Sequence, residues 1–151
     1  IRSDRDELTF RSQAALATAR ARVPLPPYQM RISRNWRLSP WFLRLSGLPR
    51  STHVQAVRLG DVVLFGMGAE CSAEISLAEK RRARKRGVRL WIVSFAADYR
   101  GYLSPDRYYN RLDRHGNLPY EVGIMGWCGP RASSYFSTLM HMAVTRTDAG
   151  Q

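Results

Sequence analysis

An unbroken run of apolar and β-branched residues, Leu90–Phe95, is the feature that most constrains the fold of this chain. A run of this length without polar alternation is typical of a strand that is covered on both faces. The residues that follow it change character at once, with an acid, two tyrosines and a glycine within Asp98–Tyr102. In open α/β sheets, ligands bind just beyond the carboxyl ends of the strands. We therefore expect any chemistry of this chain to lie around Asp98–Tyr102.

A hairpin and a helix are predicted upstream of this run. Two β-rich runs, Val54–Arg58 and Val62–Phe65, flank Leu59-Gly60-Asp61, which is the pattern of a hairpin. A helix is predicted over 72–86, because Cys71 or Ser72 can cap its start, basic residues fill its last turns, and a glycine follows.

The order strand, helix, strand is a βαβ unit, which joins two parallel strands by a right-handed crossover. Glu70 follows the first of these strands and Tyr102 follows the second, so both should reach the same edge of the sheet. The predicted fold is α/β, with a mixed or parallel sheet, one βαβ unit and flanking helices.

The rest of the chain gives a coarse domain organisation. Residues 1–53 are predicted to hold a helix from Ser3 to about Arg22 and then an irregular connecting segment, 54–145 the α/β unit, and 146–151 a tail. A helix start is expected at Ser104-Pro105-Asp106, and an amphipathic stripe predicts a core-facing helix over 130–144. The chain begins at Ile1, from which we expect a fragment or a processed chain.

The connecting segment between Tyr28 and Arg50 is rich in aromatic residues and carries five arginines. Its apolar residues include Trp36, Trp41 and Phe42. Two interpretations stay open: a surface excursion whose aromatics pack back onto the domain, and a lid or membrane-facing patch.

The net charge of +12 makes nucleic acid, an anionic membrane surface or an acidic protein conceivable partners. The densest basic run lies at residues 80–86, near the end of the predicted helix. Nucleic-acid sites usually interleave aromatic with basic residues, and this run holds no aromatic residue. A solvated helix face is therefore favoured there. A contact with nucleic acid or anionic lipid is the alternative, and of these two partners nucleic acid is the less expected.

Metal and nucleophile motifs are absent from the sequence. The histidines show no metal-ligand spacing, and no P-loop or Gly-x-Ser-x-Gly is present. Cys71 and Cys128 are too few for a disulfide framework, so free thiols are expected. No apolar run is long enough to span a membrane. The predicted edge then holds polar and aromatic candidates without a closed catalytic set: Glu70, Asp98, Tyr99, Tyr102, Tyr120 and Glu121.

Four blocks between about Val54 and Val144 resemble, in order and spacing, the C-terminal part of the catalytic domain of the neutral/alkaline ceramidase family. They are Leu59–Phe65 with the small-residue turn and Glu70, Val93–Phe95 continuing to Tyr99-Arg100-Gly101-Tyr102, Tyr120-Glu121, and Trp127-Cys128-Gly129-Pro130. The last block is most similar to an uncharacterised bacterial branch. One departure is Gly68, which stands where the family usually has a proline.

The resemblance implies a zinc-dependent amidase that cleaves the N-acyl bond of a ceramide or similar lipid amide. It implies that Glu70 and Tyr102 are zinc ligands, that two histidine ligands lie in an N-terminal part outside this chain, and that Tyr120 contacts the scissile amide. Tyr99, Tyr120 and Trp127 would then contact substrate. The partners would be the lipid amide and that missing N-terminal part, and the compartment would be extracytoplasmic.

Structural explanations for the same residues stand beside these roles. Glu70 could stabilise the following helix through its dipole, Tyr102 could be a packed tyrosine bonded to backbone, Tyr120 and Trp127 could anchor a loop, and Asp98 could form a turn rather than act as a base. Two other functions therefore stay open: a basic binding module for nucleic acid or anionic lipid built on 80–86, and a non-catalytic relative that serves as an interaction domain.

Overall fold

The computed structural model describes residues 13–148 except Arg34 and Ala97, and it has the mixed α/β fold that the sequence predicts. The elements follow in the order β1 Leu16–Pro24, α1 Pro40–Leu45, β2 Ser51–Leu59, β3 Val62–Met67, β4 Glu70–Cys71, α2 Ala73–Arg84, β5 Arg89–Val93, β6 Tyr102–Leu103, a 3₁₀ helix Asp106–Asn110, and α3 Ala132–Asp148.

A four-stranded mixed sheet forms the centre, with the strand order β1-β2-β3-β5. The predicted hairpin is confirmed, since β2 and β3 pair antiparallel around Gly60. Gly60 has a φ of 59°, which glycine adopts without the steric strain that a side chain would cause. The predicted parallel pair is confirmed as well, since β3 and β5 are neighbours and Phe65 lies opposite Ile92.

The helix predicted from Ser3 to Arg22 is wrong for its second half, where the chain forms β1; its first ten residues lie outside the described part. β1 pairs antiparallel with β2 along its whole length. Its residues alternate between a more buried face with Ala19 and Ala21 and an exposed face with Arg20 and Arg22. This two-residue period outweighs the helix propensity of the alanines, and the arginines suit an edge strand.

β5 differs from the strand that the apolar run predicts. Leu90 is buried, but Trp91 and Val93 are 62% and 46% exposed, so the strand is covered on one face only. It also ends at Val93, two residues early, and Phe95 has a φ of 60° in the turn that follows. The helices explain the difference, because α3 packs against β1, β2 and β3, and α2 packs against β5 and α3.

The core lies between the sheet and these two helices. Val63, Phe65 and Met67 of β3 are fully buried, and Phe136 and Met140 of α3 pack against that face, which confirms the core-facing stripe. α3 extends to Asp148, through the first residues of the predicted tail.

α2 begins and ends as its sequence predicts. The Ser72 hydroxyl accepts a hydrogen bond from the backbone of Ile75, and Gly87 follows the last turn with a φ of 73°. The basic run 80–86 lies mostly in solvent, with Arg82 paired to Glu79 at 2.8 Å and Arg86 to Asp148 at 3.5 Å. This agrees with a solvated helix face.

The connecting segment forms one short helix, α1, which the sequence did not predict. Leu43 is buried, but Trp36, Trp41 and Phe42 are exposed, so the interpretation that these aromatics pack back onto the domain is wrong. In the described part of the chain no helix is both long and apolar enough to cross a bilayer. Cys71 and Cys128 are free thiols, as predicted.

Candidate functional site

Two short strands bring the predicted ligand residues side by side. β4 and β6 pair parallel as a separate two-stranded ladder, and Glu70 lies opposite Tyr102 in its register. Opposed residues of a parallel pair point to the same face of the sheet, so the Glu70 carboxylate and the Tyr102 phenol share one face. The backbone N–H of Glu70 donates to the carbonyl of Gly101 at 2.9 Å.

Both side chains are half-buried, and within the described part of the chain neither the carboxylate nor the phenol has a hydrogen-bond partner. The N-cap of α2 is Ser72. Among the described residues the Tyr102 hydroxyl has no backbone partner, so the explanation that backbone satisfies it is wrong. Half-buried oxygen atoms that face one space without partners are free to bind a ligand.

A close-packed glycine connects this pair to the loop 119–130. Gly101 has a φ of 82°, and a Cβ there would lie 2.7 Å from the Met125 carbonyl oxygen and 2.8 Å from Cγ of Trp127. The Tyr102 N–H donates to the same Met125 carbonyl at 2.8 Å. Only glycine allows this approach, which fixes Trp127 beside the strand that carries Tyr102.

An aromatic series runs from this loop across the site. Tyr99 stacks on Phe95 with ring centroids 5.5 Å apart and meets Trp127 edge-on at 5.1 Å. Trp127 in turn meets Tyr28 edge-on at 6.4 Å, and its carbonyl accepts the Gln29 N–H at 2.7 Å. Trp127 thus anchors its loop, and together with Tyr99 it also forms an aromatic wall near the Glu70–Tyr102 pair.

The charges that act on Tyr99 and Tyr102 show that the predicted site residues lie near one another. Burial raises the pKa of Tyr102, and the negative charges of Glu70 and Glu121 raise it further. Burial, Glu70 and Tyr120 raise the pKa of Tyr99 in the same way. An open cavity of about 400 Å³ lies beside the first turn of α2 and is lined by Tyr102 and Glu121 among others. Tyr120, which acts on Tyr99, is 66% exposed to solvent.

Two neighbouring side chains contact the Asp98 carboxylate. The carboxylate accepts a hydrogen bond from the Thr52 hydroxyl at 2.9 Å and pairs with Arg100 at 2.7 Å. A Cβ on Gly68 would lie 1.5 Å from its Oδ1, which gives a physical reason for glycine at a position where the resembling family has proline. Sequence reasoning missed Thr52 and Arg100.

Among the described residues, no group of three or more His, Cys, Asp or Glu side chains lies close enough to hold a metal ion. A zinc site needs at least three protein ligands, commonly histidine nitrogen, cysteine sulfur or carboxylate oxygen. The adjacent oxygen donors of Glu70 and Tyr102 fit part of such a set and do not complete it.

No family model matches this sequence, and no curated protein matches it. The solved structures do provide a likeness: the chain is similar to the crystal structure of neutral ceramidase from Pseudomonas aeruginosa, with a TM-score of 0.52 and 23% identity over 76% of this chain. A second structure, titled ceramidase complexed with C2, has a TM-score of 0.48 at 22% identity and covers 70% of this chain. The chain spans 17% and 15% of these two proteins. At this identity the likeness establishes a ceramidase-like fold.

Proposed function

We propose that this chain is the C-terminal part of a ceramidase-like, zinc-dependent amide hydrolase that cleaves the N-acyl bond of a ceramide or similar lipid amide. One observation carries the proposal: Glu70 and Tyr102 lie in register on one face, unpaired and half-buried, on a ceramidase-like fold. The resemblance of the sequence singles out the same two residues.

Each residue has a distinct part in the proposed reaction. Glu70 and Tyr102 would hold the zinc ion together with two histidines from a segment outside this chain. Bound zinc lowers the pKa of water and polarises a carbonyl. Tyr120, exposed beside Tyr99, would donate its phenolic proton in a hydrogen bond to the oxygen of the scissile amide as negative charge develops there.

The aromatic wall would orient the substrate. Tyr99 and Trp127 present ring faces and edges beside the Glu70–Tyr102 pair, and apolar surfaces of this kind suit the acyl chain of a lipid amide. The chain by itself supplies two ligands, so we expect weak or absent zinc binding and no hydrolysis without the missing N-terminal part.

The test compares this chain with the complete protein, which joins it to the segment encoded upstream. Zinc content is measured by plasma mass spectrometry and hydrolysis with a fluorogenic N-acyl ceramide analogue. In the complete protein, Glu70→Gln or Tyr102→Phe should remove zinc and activity together, whereas Tyr120→Phe should keep zinc and slow turnover by about 10²-fold or more, as for other transition-state donors.

A matched control is Asp61→Asn, the same carboxylate-to-amide change in the β2–β3 hairpin, at the opposite end of β3 from Glu70. It should leave zinc content unchanged. Equal zinc content in the Glu70→Gln variant would refute the ligand role. An upstream segment without histidines, in a protein free of zinc and activity, would identify a non-catalytic interaction domain instead.

A further inference from the structure

We propose that residues 31–45, named here the aromatic lobe, form a docking surface for an anionic lipid bilayer. This inference does not depend on the hydrolase proposal, because it concerns binding alone. The lobe consists of a tight turn, closed by a bridge between Arg31 and Arg37, and the short helix α1 that follows it.

Large apolar side chains are concentrated on the lobe and point into solvent. Trp36, Trp41 and Ile32 are 74%, 70% and 71% exposed, and Phe42 and Leu45 are more than half exposed. Single exposed hydrophobic residues are common, but a group of five within fourteen consecutive residues is a mark of an interaction surface.

The lobe is held in place, so these side chains are presented by an ordered scaffold. The Leu38 N–H donates to the Met30 carbonyl at 2.9 Å and closes the base of the turn. The Arg31 guanidinium donates to the carbonyl of Tyr109 at 2.8 Å, which ties the turn to the domain. Leu43, on the inner side of α1, is buried.

The charged residues of the lobe itself are all basic. Residues 31–45 include four arginines and no acidic residue. Arg37 and Arg50 are exposed. An anionic membrane surface attracts basic residues, and tryptophan favours the headgroup level. A surface that combines exposed tryptophans with unopposed arginines is complementary to such a membrane.

A cavity beside the lobe adds a place for part of a lipid. It is open, measures about 640 Å³, and its lining is mostly apolar, including Leu25, Pro26, Trp41 and Leu43. Tyr28 lies in the same wall and contacts Trp127 of the candidate site. Lipid held at the lobe would thus adjoin the aromatic series that leads to the Glu70–Tyr102 pair.

Aromatic residues interleaved with arginines can also bind single-stranded nucleic acid by stacking on bases. Two features favour lipid here. Ile32 and Leu45 are as exposed as the tryptophans, and aliphatic side chains insert among acyl chains but have no ring to stack on a base.

The experiment measures co-sedimentation of the full chain with sucrose-loaded vesicles of phosphatidylcholine, with and without 30 mol% phosphatidylglycerol, at 150 mM salt. We expect binding that depends on phosphatidylglycerol. The double change Trp41→Ala with Phe42→Ala should weaken partitioning at least tenfold, while Trp91→Ala, an equally exposed tryptophan on the sheet, should leave it within twofold. Circular dichroism checks that each variant is folded.

A charge-matched pair separates the lobe from the basic run of α2. Arg37→Glu and Arg84→Glu alter net charge equally, and we expect only the lobe variant to lose vesicle binding. Four results would overturn the proposal: no binding of the unaltered chain, equal binding of the Trp41/Phe42 variant, equal loss in the two charge variants, or release of bound chain by a stoichiometric single-stranded oligonucleotide. A change of oligomeric state in the lobe variant without weaker vesicle binding would overturn it too.

Discussion

Gly68→Ala should destabilise the fold through a carboxylate that is distant in sequence. The added Cβ would lie 1.5 Å from Oδ1 of Asp98 and 2.8 Å from the Thr52 hydroxyl. Ordinary contacts of a Cβ are 3.4–4 Å, so Asp98 must move by about 2 Å. A shift of that size breaks the hydrogen bond from Thr52 at 2.9 Å and the ion pair with Arg100 at 2.7 Å.

The expected cost follows from the burial of these groups. The side chains of Asp98 and Arg100 are each 16% exposed, and the residue Thr52 is 1% exposed. Breaking a fully buried pair costs about 3–5 kcal/mol, and partial exposure lowers this value. We expect Gly68→Ala to reduce the free energy of unfolding by about 2–4 kcal/mol. With a urea slope of about 2 kcal/mol/M, the midpoint should fall by about 1–2 M.

Urea unfolding followed by circular dichroism tests the expected cost, and a double-mutant cycle tests its cause. In an Asp98→Ala background the same glycine change should cost about 1 kcal/mol or less, because the clashing carboxylate is gone. Gly123→Ala is the matched control, since its Cβ would make a nearest contact of 3.4 Å. A Gly68→Ala midpoint equal to that control, or an undiminished cost in the Asp98→Ala background, would contradict the reasoning.

Three further predictions concern titratable groups. Burial raises the pKa of Tyr109 and of Cys128 to about 12, from 10.0 and 9.0. The unfolded chain therefore releases these protons first, so the contribution of these two groups to stability should be fully present below about pH 9 and should fall as pH rises from about 9 to 12, by about 1.4 kcal/mol per pH unit for each titrating group, as measured by urea midpoints. Cys71 has its pKa raised to about 12 as well, so both thiols should react with Ellman's reagent at pH 8 orders of magnitude more slowly in the folded chain than in 8 M urea. Glu70→Gln should lower the pKa of Tyr102, seen as tyrosinate absorbance at 295 nm appearing at lower pH, and an unchanged titration would show that the two side chains do not interact.

The sheet order around β3 could be predicted because its signals are local. Gly60 marks the hairpin, and Ser72 and Gly87 mark the ends of the crossover helix. The helix expectation fails at β1 because the period-two pattern there places alanine on the inner face, and alanine also favours helices. The pattern of alternation was present in the sequence and should have outweighed the charge order at the ends of the expected helix.

The juxtaposition of Glu70 and Tyr102 could be predicted from the sequence, but the contacts that surround the candidate site could not. The βαβ geometry alone brought Glu70 and Tyr102 to one edge, and their pairing in β4 and β6 follows from it. Thr52 lies 46 residues before Asp98. The sequence gives no sign of their hydrogen bond, because threonine is common in strands whether or not its hydroxyl binds a distant side chain. Long-range polar contacts of this kind depend on the packed structure and leave no local pattern.

Within the described residues, one face of the four-stranded sheet has no helix packed on it, and this face connects the sequence of β5 to the proposed function. Trp91 lies beside Leu64, which lies beside Val57, so one apolar row crosses three strands on the face away from the helices. A sheet face of this composition normally packs against a further layer of structure. In the proposed hydrolase, the histidine ligands come from a segment that must dock within reach of Glu70, just beyond the end of β3. A layer on this face would supply that anchorage, and it would account together for a strand without polar alternation and for a proposed zinc site that has only half its ligands in this chain.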